Sequence, residues 1–229
     1  MTTNTDEEKH CLAISIPIIP YKSALTYQDE FQKKIHLDNN PNTLLLLEHP
    51  SIYTIGRSGN DSDILVNQTF LNKNKIPVFF SNRGGQTTYH GPGQLICYPI
   101  FNIKKLSVTP RTYIQNLQKI ITSTLEDFGI PAKWENKPIG VWVKDTKIAS
   151  IGIRISNGIS THGFSLNINP NLKHFDHIIS CGLSITKNTS ILQLTGKIPD
   201  RKKIESRILY HFSNIFEMNI TFKNRLNVF

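Results

Sequence analysis

Three features of this chain have residue types and spacing that could do chemistry: a cysteine at a bend, a glycine-rich block, and two histidines just upstream of the cysteine. Cys181 sits in Ser180-Cys181-Gly182, after the apolar pair Ile178-Ile179 and before Leu183. A bend of small residues following an apolar run can present a thiol at the end of an element. The thiolate is the nucleophile, and a free thiol with a pKa of about 8.5 is only a few per cent ionised at neutral pH. Catalysis at Cys181 would therefore need a neighbouring cation. Cysteine is also commonly an inert, buried small hydrophobe, and the local sequence leaves both readings open. Cys97, flanked by Leu95, Ile96 and Tyr98, fits the inert reading, as does Cys11.

The block Arg83–Gln94 reads RGGQTTYHGPGQ, with four glycines and a proline in twelve residues. Glycines let the backbone approach a ligand and expose amide N–H donors. The block lacks the spacing of a phosphate-binding loop and lacks Gly-x-Gly-x-x-Gly, so a nucleotide site has no motif behind it. A long surface turn is the plain alternative, but Arg83, Tyr89 and His90 favour a binding wall. His174, His177 and Cys181 stand at i, i+3 and i+7, one face of a helix. Pro170 and Gly182 confine that stretch to a single turn, and no fourth ligand lies nearby. No metal site is expected.

The elements that must position these residues follow from periodicity and punctuation. Residues 1–10 read as a polar tail, Cys11–Ile18 as a strand and Tyr21–Leu37 as a helix. Thr43–Glu48 and Ile52–Ile55 read as strands around a His49-Pro50 turn, and Arg57–Ser62 as a loop. Val78–Phe80 and Gln94–Asn102 read as strands on either side of the glycine block. Pro110 opens an amphipathic helix reaching Phe128 and closed by Gly129. Gly140–Lys144, Lys147–Ser156 and Ile159–Asn169 read as three strands, joined through Asp145-Thr146 and Asn157-Gly158. Ile204–Phe216 has helical spacing, and the remainder reads as a polar tail with short apolar patches. Strands interspersed with helices, several joined by hairpins, predict one α/β or α+β domain with a largely antiparallel or mixed sheet. Residues 11–229 form that domain, with room for a small satellite from about residue 184.

At 229 residues the chain can bury a sizeable core without disulfide staples. Its three cysteines are scattered and odd in number, which suits a reducing compartment and predicts a cytoplasmic protein. The acidic residues Asp6, Glu7 and Glu8 are unlike a signal peptide, and no apolar run is long enough to span a bilayer. The net charge of +9 would speed encounter with an acidic partner, nucleic acid or carrier protein alike, and part of it could serve solubility.

The run RGGQTTYHGPGQLICYP closely resembles the signature of the lipoate-biosynthesis octanoyltransferases. A second block, GVWVKDTKIASIGIRISNGISTHGFSLNINPNLKHFDHIISCGL, matches the same family, and weaker similarity runs upstream through LLLLEHPSIYTIGR. The two strong blocks span Arg83 to Leu183. The resemblance implies a biotin/lipoate protein ligase-like catalytic domain, a central mixed sheet flanked by helices. It implies an acyltransferase that moves an octanoyl group from octanoyl-acyl carrier protein to a lysine of a lipoyl domain, the first step of endogenous protein lipoylation. Cys181 matches the thioester-forming nucleophile and Lys147 its lysine partner. Arg83, Gly84, Gly85, Gln86, Thr87, Thr88, Tyr89 and His90 match acyl-substrate-contacting segments, as do Ser150, Ile151, Gly152, Gly163, Phe164 and Ser165. Thr87 departs from the pattern, which more usually has an aliphatic residue there. The implied acceptors are lipoyl domains of 2-oxoacid dehydrogenase complexes and the glycine cleavage H protein. No cofactor, metal, nucleic acid or membrane is implied, and the expected state is a monomer.

Without the resemblance, Lys147 reads as a solvated hairpin lysine following Asp145-Thr146. Two rivals bear weighing. An ATP-dependent lipoate or biotin ligase would share the fold, but Gly91-Pro92 follows His90 where lipoate ligases typically place an aspartate, and adenylation needs no cysteine. A basic nucleic-acid-binding module would interleave cations with exposed aromatics, and no such stripe is present.

Overall fold

The computed structural model describes residues 10–38, 40–136, 139–179 and 187–224. Two sheets and five α-helices make up the described chain. The larger sheet has eight strands in the order β11-β1-β2-β6-β10-β9-β8-β7. These are β1 (His10–Ser15), β2 (Asn42–Leu47), β6 (Gln94–Ile100), β7 (Lys133–Asn136), β8 (Ile139–Val143), β9 (Thr146–Ser156), β10 (Ile159–Asn167) and β11 (Asn219–Asn224). Strand β1 runs parallel to both β2 and β11, and the other pairs are antiparallel, so the sheet is mixed. The smaller sheet, in the order β4-β3-β5, comprises β3 (Ile52–Ile55), β4 (Val78–Phe80) and β5 (Thr87–His90).

Helices cover both faces of the large sheet. Successive strand residues point to opposite faces, so a centre strand covered on both sides should be apolar throughout. Strand β2 does this with Leu44–Leu47, all fully buried. Leu44 and Leu46 pack with helices α3 (Pro110–Glu126) and α5 (Arg201–Phe216), against Leu117, Ile121, Ile208 and Phe212. Leu45 and Leu47 pack on the opposite face with Ala24, Phe31 and Ile35 of α1 (Tyr21–His36). Cys11 and Cys97 are buried in the first of these clusters as free thiols, and burial pushes both well above the ordinary thiol range. They are the inert core cysteines expected from their neighbours.

Local chemistry explains most boundaries. Thr109 caps α3 by accepting the Thr112 N–H at 3.1 Å, with Pro110 in the first turn, and Gly129 follows the helix at φ +71°. The β9–β10 hairpin turns at Asn157-Gly158, both with positive φ (53° and 79°), as a two-residue primed turn demands.

Several expectations need correction. The β8–β9 hairpin turns at Lys144-Asp145, one residue earlier than Asp145-Thr146, with Lys144 at φ 53°. Strands β2 and β3 flank the His49-Pro50 turn but belong to different sheets. The glycine block contains β5, which pairs with β3 from Ile52↔His90 to Ile55↔Thr87, so a third of it is sheet and not turn. Helices α2 (Gln68–Asn74) and α4 (Ile191–Thr195), along with β7, are additional elements. The stretch after α5 forms β11, stabilised in parallel on β1 from His10↔Asn219 to Ser15↔Asn224. Among the described residues no helix is long and apolar enough to cross a membrane.

Candidate functional site

A cavity of about 580 Å³ opens between the small sheet and the β9–β10 region of the large one, within the range of small-molecule sites. The glycine block supplies Arg83, Gly84, Gly85, Gln86, Thr87, Thr88 and His90 to its wall. Strand β9 supplies Lys147, Ser150, Ile151 and Gly152, and β10 supplies Gly163, Phe164 and Ser165. The fold thus gathers three sequence segments into one wall. Tyr89 is not part of the lining. Its side chain is buried in a third apolar cluster with Tyr53 and Phe175, and its hydroxyl lies 3.0 Å from Ser51 Oγ. Cys181 lies outside the described residues.

Close backbone approach is what the glycines provide. Gly84 N–H donates to the Ile153 carbonyl at 2.9 Å, joining the block to β9. A Cβ on Gly152 would stand 2.8 Å from the Gly84 carbonyl oxygen, so any side chain there would prise the two walls apart. Arg83 secures the other side. Its Nη2 donates to the Thr54 carbonyl at 2.7 Å, its Nε to Thr54 Oγ1 at 3.2 Å, and its Nη1 to the Gly84 carbonyl at 3.0 Å. The guanidinium is buried and fastens the glycine block to β3, so it builds the wall as well as lining it.

Lys147 is not a solvated hairpin lysine: only 2% of it is exposed. Its side chain passes Gly140, where a Cβ would fall 2.5 Å from Lys147 Cε. Its Nζ lies 5.6 Å from the Trp142 ring centroid, within cation–π range. The main chain of Lys147 donates to the Lys187 carbonyl at 2.8 Å and accepts from Thr189 N–H at 2.9 Å. These are among the first described residues after Cys181. On the other flank, Ile179 N–H donates to the Asp63 carbonyl at 2.8 Å, and the Asp63 side chain accepts the Thr87 hydroxyl at 2.7 Å. The unusual Thr87 is explained: its hydroxyl satisfies a buried carboxylate that also accepts the Asn60 N–H at 3.2 Å.

Other lining residues escaped the sequence reading: Ser58, Tyr98, Ile114, Ile139, Ile153, Phe175 and Asn188; His162 of β10 lines the cavity as well. Ile114 and Ile139 come from α3 and β8, and no local motif marks them. His162 has a positive φ of 57°, a conformation uncommon outside glycine. Burial, then Arg83 and Arg154, lowers its pKa to about 3, so the ring is neutral. Its Nε2 lies 2.6 Å from Asn82 Oδ1 and, facing an amide oxygen, carries the proton. His174 and His177 share a single 3-10 turn, Leu172–His177, with ring centroids 5.9 Å apart. Among the described residues no three His, Cys, Asp or Glu side chains group as a metal site. The cavity is thus a mostly apolar slot with an enclosed lysine and neutral imidazoles on its wall. It suits an apolar chain with one polar, reacting end.

A family model for the lipoyl protein ligase A/B catalytic domain matches residues 20–213. An octanoyltransferase of Caldicellulosiruptor bescii is 39% identical over 217 residues, covering 91% of this chain and 93% of that protein. One from Alkaliphilus metalliredigens is 34% identical over 212 residues, covering 92% and 97%. A crystal structure of lipoate-protein ligase A bound with ATP superposes with a TM-score of 0.74 over 96% of this chain and 90% of that one. At 13% identity, that likeness speaks for the fold alone. The mixed sheet flanked by helices agrees with it, and the sequence similarity over nine-tenths of the chain goes further: this protein belongs to the lipoyl protein ligase A/B catalytic-domain family, among the octanoyltransferases.

Proposed function

We propose that this protein transfers an octanoyl group from octanoyl-acyl carrier protein to a lysine of a lipoyl domain, through a thioester on Cys181. The Cys181 thiolate attacks the donor thioester carbonyl, the carbon–sulfur bond to the phosphopantetheine arm breaks, and the Lys147 ammonium protonates the departing thiolate. The neutral Lys147 amine then takes a proton from the acceptor lysine, whose nitrogen attacks the Cys181 thioester and releases the thiolate. Gly-rich backbone amides are the candidate donors to the oxyanion. The thioester is already activated, so neither ATP nor a metal enters.

The observation that carries this reading is the enclosure of Lys147 at the cavity wall, with its main chain bonded to Lys187 and Thr189, six and eight residues beyond Cys181. The octanoyltransferase relatives support the acyl group and the reaction class. The acceptors in this reading are lipoyl domains of 2-oxoacid dehydrogenase complexes and the glycine cleavage H protein, and part of the +9 charge steers the acidic carrier. Residues 11–229 act as one catalytic domain, a reading supported by α5 and β11 completing the core and the sheet. A transfer assay with ATP omitted is the test. Product from octanoyl-carrier alone is expected. Product only from free octanoate with ATP and magnesium would replace this reading with an adenylating ligase.

A further inference from the structure

A line of buried amide side chains leads from the cavity wall to the strand edge that carries Lys147, and the chemistry above makes no use of it. His90 Nδ1 lies 2.7 Å from Gln94 Oε1, Gln94 Nε2 lies 2.8 Å from Asn167 Oδ1, and Asn167 Nδ2 lies 3.0 Å from the Thr189 carbonyl oxygen. All three side chains are at most 7% exposed.

Direction in this line is set at one end. A main-chain carbonyl only accepts, so Asn167 must turn its NH₂ to Thr189 and its oxygen to Gln94. Gln94 must then offer its NH₂ to Asn167, and the same group also reaches the Tyr89 carbonyl at 3.3 Å. Its oxygen is left for His90, which has to donate. His90 is therefore held with its proton on Nδ1 and a lone pair on Nε2, an atom with no hydrogen-bond partner among the described residues. Protonation of Nε2 is disfavoured on balance. Burial is the main cause, followed by His49 beyond β2; Arg83 of the glycine block and His162 of β10 add to it. The Gln94 contact works the other way, and the Tyr21 ring of α1 stacks at 6.0 Å. The imidazole stays neutral through the physiological range.

We propose that Gln94 and Asn167 are positioning residues that fix this tautomer, and that His90 Nε2 accepts a hydrogen bond from the amine of the incoming lysine. This rests on the transfer reading above. An attacking amine must aim its one lone pair at the thioester carbon, which requires acceptors for its N–H groups. A fixed acceptor on the wall supplies that orientation. The far end of the line reinforces it, because Thr189 also donates to the Lys147 carbonyl at 2.9 Å. The acceptor for the amine and the strand bearing its proton acceptor share one rigid frame.

Nitrogen-15 NMR of histidine-labelled protein, with His90 assigned by loss of its signals in His90→Gln, reads the tautomer directly. Neutral Nδ1–H is expected, and a neutral Nε2–H or charged ring would overturn the relay whatever the activity. Gln94→Leu then removes the oxygen that holds the His90 proton and leaves the Asn167–Thr189 contact in place. Transfer from preformed acyl-enzyme to the lipoyl domain should fall at least tenfold, with acyl-enzyme formation within threefold of wild type and the His90 tautomer mixed. Equal loss in both half-reactions, or loss in neither, would contradict the role. Gln94→Glu adds a negative charge beside Nδ1 and should bring His90 into the titratable range, giving the transfer step a new acid limb. An unshifted pH profile in a folded Gln94→Glu protein counts against the proposal. Failure of the wild type to accept an octanoyl group would instead sink the functional reading, leaving the tautomer result to stand alone.

Discussion

Replacing Thr87 with valine keeps the shape of the cavity wall and removes one hydroxyl. That hydroxyl donates at 2.7 Å to Asp63, a carboxylate only 7% exposed whose other donor is the Asn60 N–H. A hydrogen bond to a charged group contributes about 1.5–3 kcal/mol, and its loss leaves a buried acceptor less satisfied. Burying a methyl where a hydroxyl stood offsets about 0.8 kcal/mol. The net cost of Thr87→Val should be about 1–2 kcal/mol, seen as a Tm lower by roughly 3–6 °C for a chain of this size. Thr87→Ser keeps the donor and should retain the coupling. Urea denaturation of Thr87→Val, Asp63→Asn and the double variant closes a double-mutant cycle, in which the pair should couple by about 1 kcal/mol or more. A Thr87→Val protein as stable as the wild type, or a cycle additive within about 0.3 kcal/mol, would refute the reasoning. The position bears on function because the Asp63 carbonyl holds Ile179, two residues before Cys181.

Three further outcomes follow from the same geometry. Lys147→Ala should slow both half-reactions by roughly 10²–10⁴-fold and raise the pH at which iodoacetamide alkylates Cys181. Lys147→Arg should preserve thiol reactivity yet transfer slowly, because a guanidinium does not release its proton at neutral pH; identical behaviour of the two variants would argue against a dyad. Gly140→Ala would place a Cβ 2.5 Å from Lys147 Cε. Acyl uptake should therefore drop at least tenfold with little loss of secondary structure by circular dichroism, and unchanged uptake would mean the ammonium position is not critical. His49 donates from Nδ1 to the Ile19 carbonyl, and burial lowers its pKa to about 4, as burial takes His162 to about 3. Both lie below the unfolded value near 6.5, so the unfolded state binds more protons as pH falls through that window. Stability should drop between pH 6.5 and 5 by about 1 kcal/mol per pH unit for each ring; urea midpoints flat across that range would contradict their neutrality.

Much of the frame was legible because it rests on local chemistry. The Pro110 start and Gly129 stop, the Asn157-Gly158 turn and the apolar run Leu44–Leu47 each carry their cause in adjacent residues. What escaped depended on distant partners. Strand β11 looks polar because one edge of it is solvated, and it exists only through its parallel register with β1. Strand β5 hides inside a glycine block because turn residues dominate its composition, yet Thr87-Thr88-Tyr89-His90 pair along the whole of β3. At the site, glycine and charge were visible as types, and their reasons were not. Nothing in the sequence says that Gly140 clears a path for Lys147, that Thr87 answers Asp63, or that Ile114 and Ile139 close the apolar slot. Tyr89 illustrates the reverse: it sits in the middle of the block and turns into a different core.

Intact mass of the protein mixed with octanoyl-acyl carrier protein tests the central claim most directly. The account predicts one octanoyl adduct, formed without ATP, discharged by hydroxylamine, passed on to a lipoyl domain, and absent from Cys181→Ser while persisting in Cys11→Ser and Cys97→Ser. An adduct that survives Cys181→Ser, or product formed on the lipoyl domain with no adduct at any time, would contradict it.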